Sequence, residues 1–353
     1  MFGLGKSKSV VGLDIGSSAV KAIELKATGK TYKVAAFATE PVPPDSIVDG
    51  AIIDGTAVAE AIRRVFEQNA FKTKDVAASL SGNAVIVKKI NLPVMTETEL
   101  GESIFWEAEQ YIPFDIQDVN LDYQILDPGA DGKGTMEVLL VAAKKDKIAD
   151  YTGVITQAGR TAVVVDVDAF ALQNAYEANY GLEPGHVVVL LNAGASAINI
   201  NILSGDQSVF TRDISTGGNA YTEALQKELA LPFESAEQAK KGLPVDGVSA
   251  EDVKPVLHAM TENVLLEIQK TFDFFKATAS SDRMDRIVVS GGASRVDGFV
   301  QALQERFGTP VEAFDPFRKI AFEPQKFGVT DAENVLPTAA VAVGLALRKA
   351  GDR

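Results

Sequence analysis

A short turn recurs in the two halves of this chain. Asp14-Ile15-Gly16-Ser17-Ser18 lies near its start, and Asn192-Ala193-Gly194-Ala195-Ser196 opens its second half. The flanks recur as well. Val10-Val11-Gly12-Leu13 leads into the first turn and Ala19-Val20-Lys21-Ala22-Ile23 leaves it. Val188-Val189-Leu190-Leu191 and Ala197-Ile198-Asn199-Ile200-Asn201 do the same for the second. Each copy reads as apolar strand, tight polar turn, apolar strand. One such hairpin is an ordinary occurrence. Two, one opening each half, point to a duplicated fold with a phosphate clamp made of paired turns and a nucleotide between them.

The residue types suit that chemistry. Glycine permits strained turns and removes side-chain bulk. Consecutive backbone N–H groups then form an anion-binding concavity. Ser17 and Ser18 add hydroxyl donors, and Lys21 adds a compact positive charge if strand alternation turns it toward the site. Asp14 suits a different task, holding Mg²⁺ through water, because Mg²⁺ sheds its hydration reluctantly. A lone Asp-x-Gly-Ser-Ser is equally an ordinary hairpin turn. Further pieces weigh against that reading. Gly291-Gly292-Ala293-Ser294 follows the apolar run Ile287-Val288-Val289 and lets a flat base or ribose lie against backbone. Glu237 and Lys240 stand three apart on an expected helix, where both can face one spot as ribose and base contacts, or else form an exposed ion pair.

Bulk properties exclude other classes. A net charge of −14 offers no basic footprint for duplex nucleic acid. It would also repel anionic lipid, so a membrane association would run through a protein partner. The chain has no cysteine, which removes disulfides, thiolate catalysis and cysteine zinc sites. His186 and His258 are remote in sequence and lack the carboxylate spacing of a metal site. No apolar run reaches the ~18 residues needed to span a bilayer. The start, Met1 to Lys8, lacks the apolar core of a signal peptide, which favours the cytoplasm.

Along the chain, strands are expected at Val10–Leu13, Ala19–Leu25 and Tyr32–Thr39, with Thr28-Gly29-Lys30 as a turn. Thr56 is the expected cap of a helix reaching about Gln68, with Val58, Ile62, Val65 and Phe66 inward. Residues 83–161 have another rhythm: strand Ala84–Ile90, then a helix capped by Thr96 and Glu99 with Leu100, Ile104, Ala108 and Ile112 on one face. Strands Val119–Leu126 and Met136–Ala143 flank the loop 127–134. A helix Asp146–Gln157 leads to the strand Ala162–Val167. This order can close as a small α+β module inserted into the first half. In the second half helices fill 219–280, the longest carrying Val256, Met260, Val264, Ile268 and Phe272 toward the core. Small residues at 340, 344 and 346 let the final helix pack closely on another backbone. No linker of disordered composition appears, so the halves should be firmly packed.

These pieces together resemble the actin/Hsp70/sugar-kinase superfamily. The opening strand and turn, the hairpin at 188–201, the strand ending in Gly291-Gly292-Ala293-Ser294 and the Ala/Gly-rich final helix look like its phosphate-1, phosphate-2, adenosine and connect-2 motifs, in that order. Asp166-Val167-Asp168-Ala169-Phe170-Ala171-Leu172 resembles its connect-1 region. More closely, the chain is similar to the PilM family, FtsA-like cytoplasmic proteins of type IV pilus assembly. Phe2-Gly3-Leu4 with the first turn, Glu107-Ala108-Glu109-Gln110-Tyr111-Ile112-Pro113-Phe114, and Gly217-Gly218-Asn219 with Ala236-Glu237-Gln238-Ala239-Lys240 carry that likeness.

The resemblance implies an α/β, actin-like (ribonuclease H-like, duplicated) two-lobed fold with an inserted small α+β subdomain of the 1C, or SHS2, type. It divides the chain into subdomain 1A at 1–82 and 162–186, 1C at 83–161, 2A at 187–218 and 283–335, 2B at 219–282, and a closing helix of 1A at 336–353. It implies ATP and Mg²⁺ in the central cleft, held by Asp14, Gly16, Ser17, Ser18, Lys21, Asn192, Gly194, Ala195, Ser196, Glu237, Lys240, Gly291, Gly292, Ala293 and Ser294, with Asp14 reaching the metal through water. It implies that the cytoplasmic N-terminal tail of the inner-membrane protein PilN binds between 1A and 1C. PilO, PilP and the assembly motors would be wider members of the machine, and the protein would lie peripheral to the inner membrane through these partners. Relatives polymerise, so oligomerisation stays open.

One position departs from the pattern. The family expects aspartate in the second turn, and this chain has Asn192. An amide brings no negative charge to a metal or an attacking water. The expectation is therefore nucleotide binding with slow or absent hydrolysis. Three alternatives stay beside it: an FtsA-like division protein, although the chain stops at Arg353 without a membrane helix; a small-molecule kinase or phosphatase using Asp166 or Asp168; and a scaffold that has lost nucleotide.

Overall fold

Strands β1 (Val11–Ile15), β2 (Ala19–Thr28) and β3 (Thr31–Pro41) form an antiparallel meander. A two-residue ribbon, β4 (Ile47–Val48) and β5 (Ala51–Ile52), precedes helix α1 (Gly55–Glu67) and the parallel strand β6 (Asp75–Leu80). The computed structural model describes residues 9–129, 134–278 and 283–352. Phe2, Gly3 and Leu4 of the resemblance, the loop tip 130–133 and Arg353 lie outside the described residues. The expected apolar face of α1 is buried: Val58, Ile62, Val65 and Phe66 all pack against the sheet. Its cap differs from expectation. Asp54, not Thr56, accepts the N–H of Ala57 at 2.9 Å. Gly55 adds a helical residue ahead of Thr56, which puts Asp54 at the N-cap, where its carboxylate satisfies the orphan donor.

The small module follows. β7 (Val85–Pro93), β8 (Val119–Asp127) and β9 (Thr135–Lys144) form a three-stranded antiparallel sheet in the order β7-β9-β8. Helix α2 (Glu97–Glu109) covers one face with Leu100, Ile104 and Ala108. Its capping box is present in full: Thr96 Oγ1 accepts the Glu99 N–H, and Glu99 accepts the Thr96 N–H at 2.8 Å. Helix α3 (Lys145–Gln157) corrects the sequence-based grouping. Tyr151, Val154 and Ile155 pack with α1 into the core of the first lobe, and β10 (Thr161–Val167) pairs in parallel with β6. An apolar stripe shows that a helix covers something, not which sheet it covers.

Helix α4 (Asp168–Tyr180) leads into the second half. There β11 (Glu183–Ala193), β12 (Ile198–Gly205) and β13 (Gln207–Ile214) repeat the meander, followed by helices α5 (Gly218–Leu229), α6 (Phe233–Lys240) and α7 (Ala250–Thr278). Val264, Ile268 and Phe272 of α7 are buried as expected. Toward its start the buried face is Val253, Leu257 and Thr261, while Val256 and Met260 line a cavity against Ala224 of α5. Parallel strand β14 (Arg286–Ser290) runs into a 3-10 turn, Gly292–Arg295, then α8 (Phe299–Phe307) and β15 (Val311–Ala313).

The duplication is literal at the level of topology. The first sheet contains the order β10-β6-β1-β2-β3, and the second β15-β14-β11-β12-β13, with the same parallel and antiparallel pairings. The halves then lock together. β16 (Ile320–Ala321), from the second half, extends the first sheet beside β3. After α9 (Ala332–Val335), helix α10 (Ala340–Ala346) packs on α4 and β1. The approach is close enough to demand glycine. A Cβ on Gly344 would stand 1.7 Å from the Ala171 carbonyl oxygen, and one on Gly12 2.1 Å from that of Ala342. One apolar cluster joins Ile23 and Phe37 of the first sheet, Val188 and Val288 of the second, and Leu172 and Val343 between them.

Candidate nucleotide site

The two equivalent turns, β1–β2 and β11–β12, meet between the lobes. Gly16 N donates to Ala19 O at 3.2 Å, and Gly194 N to Ala197 O at 2.9 Å. Neither glycine adopts a positive φ. Glycine is needed for space: a Cβ would stand 3.1 Å from Ala19 O in the first turn and 2.8 Å from Ala197 O in the second. Ser17 Oγ then donates to Ser196 Oγ at 3.0 Å, joining one lobe to the other. An anion entering here replaces that hydroxyl pair and gains both donors.

Strand register places the charged residues of the first turn. Asp14 and Lys21 are cross-strand partners on β1 and β2, and Lys21 Nζ donates to Asp14 Oδ2 at 2.9 Å. Asp168, at the start of α4, lies behind them and accepts from Ser79 Oγ at 2.5 Å. Burial, and then the Asp14 carboxylate, push the Asp168 carboxyl up to about 6, against the Ser79 and Ser81 hydroxyls. Asp166, the other acid of that stretch, is turned away. It is paired with Arg348 at 3.3 Å beside the closing helix, and burial raises its pKa against that charge.

In the second lobe the start of α5 docks on its turn. Gly218 N donates to Gly194 O at 2.9 Å and Asn219 N to Ala195 O at 2.7 Å. Gly217 has no room for a side chain, since a Cβ would stand 2.6 Å from both the Gly194 and Ala195 carbonyl oxygens. Glu237 and Lys240 on α6 converge on the same spot, and they are not an exposed ion pair. Lys240 Nζ donates to Gly218 O at 3.1 Å, to Thr222 Oγ1 at 2.8 Å and to Glu237. Burial lowers the Lys240 pKa against the pull of Glu237. Burial also opposes the Glu237 carboxylate, but Lys240 and Thr222 outweigh it and hold its pKa below normal.

The third glycine turn closes the floor. Gly291 has φ +87°, and a Cβ would stand 2.2 Å from Ala193 O. Gly291 N donates to Pro337 O at 2.9 Å, tying this turn to the closing segment. Gly292 leads the 3-10 turn, and the Ala293 methyl stands close to Gly218. Ser294 is buried with its hydroxyl donated to Gly291 O at 2.7 Å, so it builds the turn and has no free hydroxyl to offer. Ser18 is exposed at the tip of the first turn. Asn192 Nδ2 donates to Asn199 Oδ1 at 3.0 Å, and its Oδ1 accepts from Ser290 Oγ at 3.2 Å. Asn199, Asp213 and Gly217 also stand at this site; the sequence marked Asn199 and Gly217 only as parts of the second hairpin and of the family likeness, and Asp213 not at all, and none of the three as a nucleotide contact.

The cradle suits a phosphate chain: small turns, backbone donors, two lysines and hydroxyls. It suits a tightly chelated metal poorly. Among the described residues no group of three or more His, Cys, Asp or Glu is arranged to hold an ion, so a divalent ion here would rest on phosphate oxygens and water, with Asp14 within reach through water. Elsewhere, a cavity of about 320 Å³ lies where β9 passes into α3, at the edge of the small module. Phe114, Asp115, Asp118, Lys144, Lys145 and Asp146 line it, with the Lys144 ammonium 4.3 Å from the Phe114 ring centroid. No helix among the described residues is long and apolar enough to cross a membrane.

Comparison with known proteins agrees with this architecture. The chain is similar to the PilM protein of a solved PilM–PilN type IV pilus biogenesis complex, at 30% identity and a TM-score of 0.83, over 97% of this chain and 98% of that one. It shares its fold with the ethanolamine utilization protein EutJ from Carboxydothermus hydrogenoformans, at 15% identity and a TM-score of 0.56, over 96% of this chain and 89% of that one. It also shares it with MreB5 of Spiroplasma citri, solved with AMPPNP, at 14% identity and a TM-score of 0.54, over 96% and 95%. The fold is therefore actin-like. The family model for the type IV pilus assembly protein PilM matches residues 12–350, and the chain belongs to that family.

Proposed function

We propose that this protein is the ATP-binding, actin-like component of a type IV pilus assembly machine and binds the cytoplasmic tail of PilN. The observation that carries the nucleotide reading is the meeting of two equivalent turns, Ser17 Oγ to Ser196 Oγ, at the junction of the lobes. Phosphate sits between the turns, Lys21 and the backbone N–H groups supply positive potential, and Asp14 steadies Mg²⁺ through water. Gly291, Gly292 and Ala293 face the adenosine, with Glu237 and Lys240 beside it. ATP supplies a polyanion that draws both turns together. The likeness to a PilM–PilN complex supports PilN as the partner, and we assign its tail to the junction of 1A and 1C, near the cavity lined by Phe114 and Lys144 at the start of α3. Phe114 is the apolar member of that lining and the other five residues are charged, so the cavity suits the polar and charged groups of an extended tail beside an apolar contact at Phe114. The subdomain partition follows the inserted module, with α3 counted by packing in 1A. The protein then lies peripheral to the inner membrane, within reach of PilO, PilP and the motors, in support of twitching motility.

Asn192 bears on turnover. With an amide where the family places an acid, ATP hydrolysis should stay well below about 1 per second. Phosphate release from purified protein at several per second, unchanged by partner removal, would overturn that part of the reading. The wider assignment is tested by pull-down of inner-membrane proteins with and without ATP. Recovery of PilN is expected; recovery of no pilus component would contradict it.

A further inference from the structure

Four polar side chains stand in one row across the second sheet. Ser290 on β14 pairs in register with Asn192 on β11, Asn192 with Asn199 on β12, and Asn199 with Asp213 on β13. The row is bonded along its length. Ser290 Oγ donates to Asn192 Oδ1 at 3.2 Å, Asn192 Nδ2 to Asn199 Oδ1 at 3.0 Å, and Asn199 Nδ2 to Asp213 Oδ1 at 2.9 Å. It then leaves the lobe. The other carboxylate oxygen, Asp213 Oδ2, accepts the backbone N–H of Gly82 at 2.5 Å. Gly82 belongs to the first lobe and sits just before β7, the strand that enters the small module.

The acid at the end of the row determines the direction of every bond in it. An ionised carboxylate only accepts. Asn199 must therefore turn its NH₂ toward Asp213 and its carbonyl toward Asn192. Asn192 must in turn point its NH₂ toward Asn199 and its carbonyl toward the Ser290 hydroxyl. An NH₂ group carries two N–H bonds, so one remains to donate to an anion at the second turn. Such rows are cooperative, and a partner gained at one end is felt along the rest.

We infer that Asp213 is a positioning residue that makes Asn192 a phosphate donor and ties the occupancy of the second turn to the Gly82 root of the small module. This rests on the nucleotide reading above. A phosphate at Asn192 polarises the row and changes the hold of Asp213 on Gly82. By linkage, whatever moves the module changes the hold on nucleotide in equal measure. The acid of this row stands two strands from Asn192, where it orients the turn and bridges the lobes.

Hydrogen exchange of the 82–93 segment at saturating Mg-ATP reads this directly, and it needs no partner. In the wild type, ATP should change exchange there by about fivefold or more, the lower end of ordinary coupling. Asp213→Asn, which lets both amides flip, should weaken ATP and abolish the change even at ATP concentrations that saturate the variant. Asp213→Glu keeps two acceptor oxygens and should restore it. Asn199→Leu breaks the row at its middle, should abolish the change as well, and serves if Asp213→Asn does not fold. An ATP-dependent change that survives in both Asp213→Asn and Asn199→Leu overturns the inference. So does its loss in Asp213→Asn and Asp213→Glu alike, which would make Asp213 a packing residue. A wild type that binds ATP without any change at 82–93 overturns it too and leaves the nucleotide reading standing. A wild type that binds no ATP removes both.

Discussion

Asp168 carries a testable consequence of its position. Its carboxyl is pushed up to about 6, first by burial and then by Asp14. The folded state therefore holds the proton more tightly than the unfolded chain does. The stability that this group contributes is present at pH values below the unfolded carboxylate range and is lost as pH rises through about 6. The difference in urea-unfolding free energy between wild type and Asp168→Asn should shift by about 2–3 kcal/mol from pH 4 to pH 7, with the wild type losing ground. A difference that does not vary with pH would contradict the placement. At this scale the sequence was legible where chemistry is local. The first turn, Lys21, the Asn192 departure and the Glu237/Lys240 spacing are all written in neighbouring residues. Asn199 and Asp213 were not legible, because their role comes from strand register, which brings 192, 199 and 213 into one row with no fixed spacing to announce it.

At the scale of elements, caps and stripes account for most of what could be foreseen. The Thr96–Glu99 box and the buried faces of α1 and α2 follow from local pattern. The start of α1 did not, since Asp54 and Thr56 are both good caps and only the backbone chooses between them. Asp54→Ala should cost about 1 kcal/mol in thermal or urea unfolding, and Thr56→Ala less than about 0.5. Equal losses would mean the cap is shared. The placement of α3 was invisible for a different reason: its amphipathic face is the same whether it closes the small module or, as found, the first lobe. The helix–helix contact at the hinge gives a sharper contrast. Gly344→Val drives a side chain into the Ala171 carbonyl, so it should destabilise by at least about 3 kcal/mol. Gly153→Ala on α3 meets nothing within 4 Å and should stabilise by up to about 1 kcal/mol. The reverse order would show that α4 and α10 are not in backbone contact.

For the whole molecule, the repeat of one turn was enough to foresee a duplicated architecture. The structure makes the repeat literal, with two sheets in one strand order and their equivalent turns in contact. The duplication is symmetrical in backbone and asymmetrical in chemistry. One turn carries Asp14 and Lys21; the other carries Asn192, linked through Asn199 to Asp213 at the edge of the sheet. On the reading proposed above, such a molecule would hold a nucleotide and report its presence to the small module more than turn it over. The central claim is that one nucleotide is gripped by both turns, and calorimetric titration with Mg-ATP tests it most directly. The wild type should show one saturable site, and both Lys21→Ala in the first turn and Gly194→Val in the second should weaken it by at least about tenfold. No binding at millimolar ATP, or full affinity in either variant, would contradict the account.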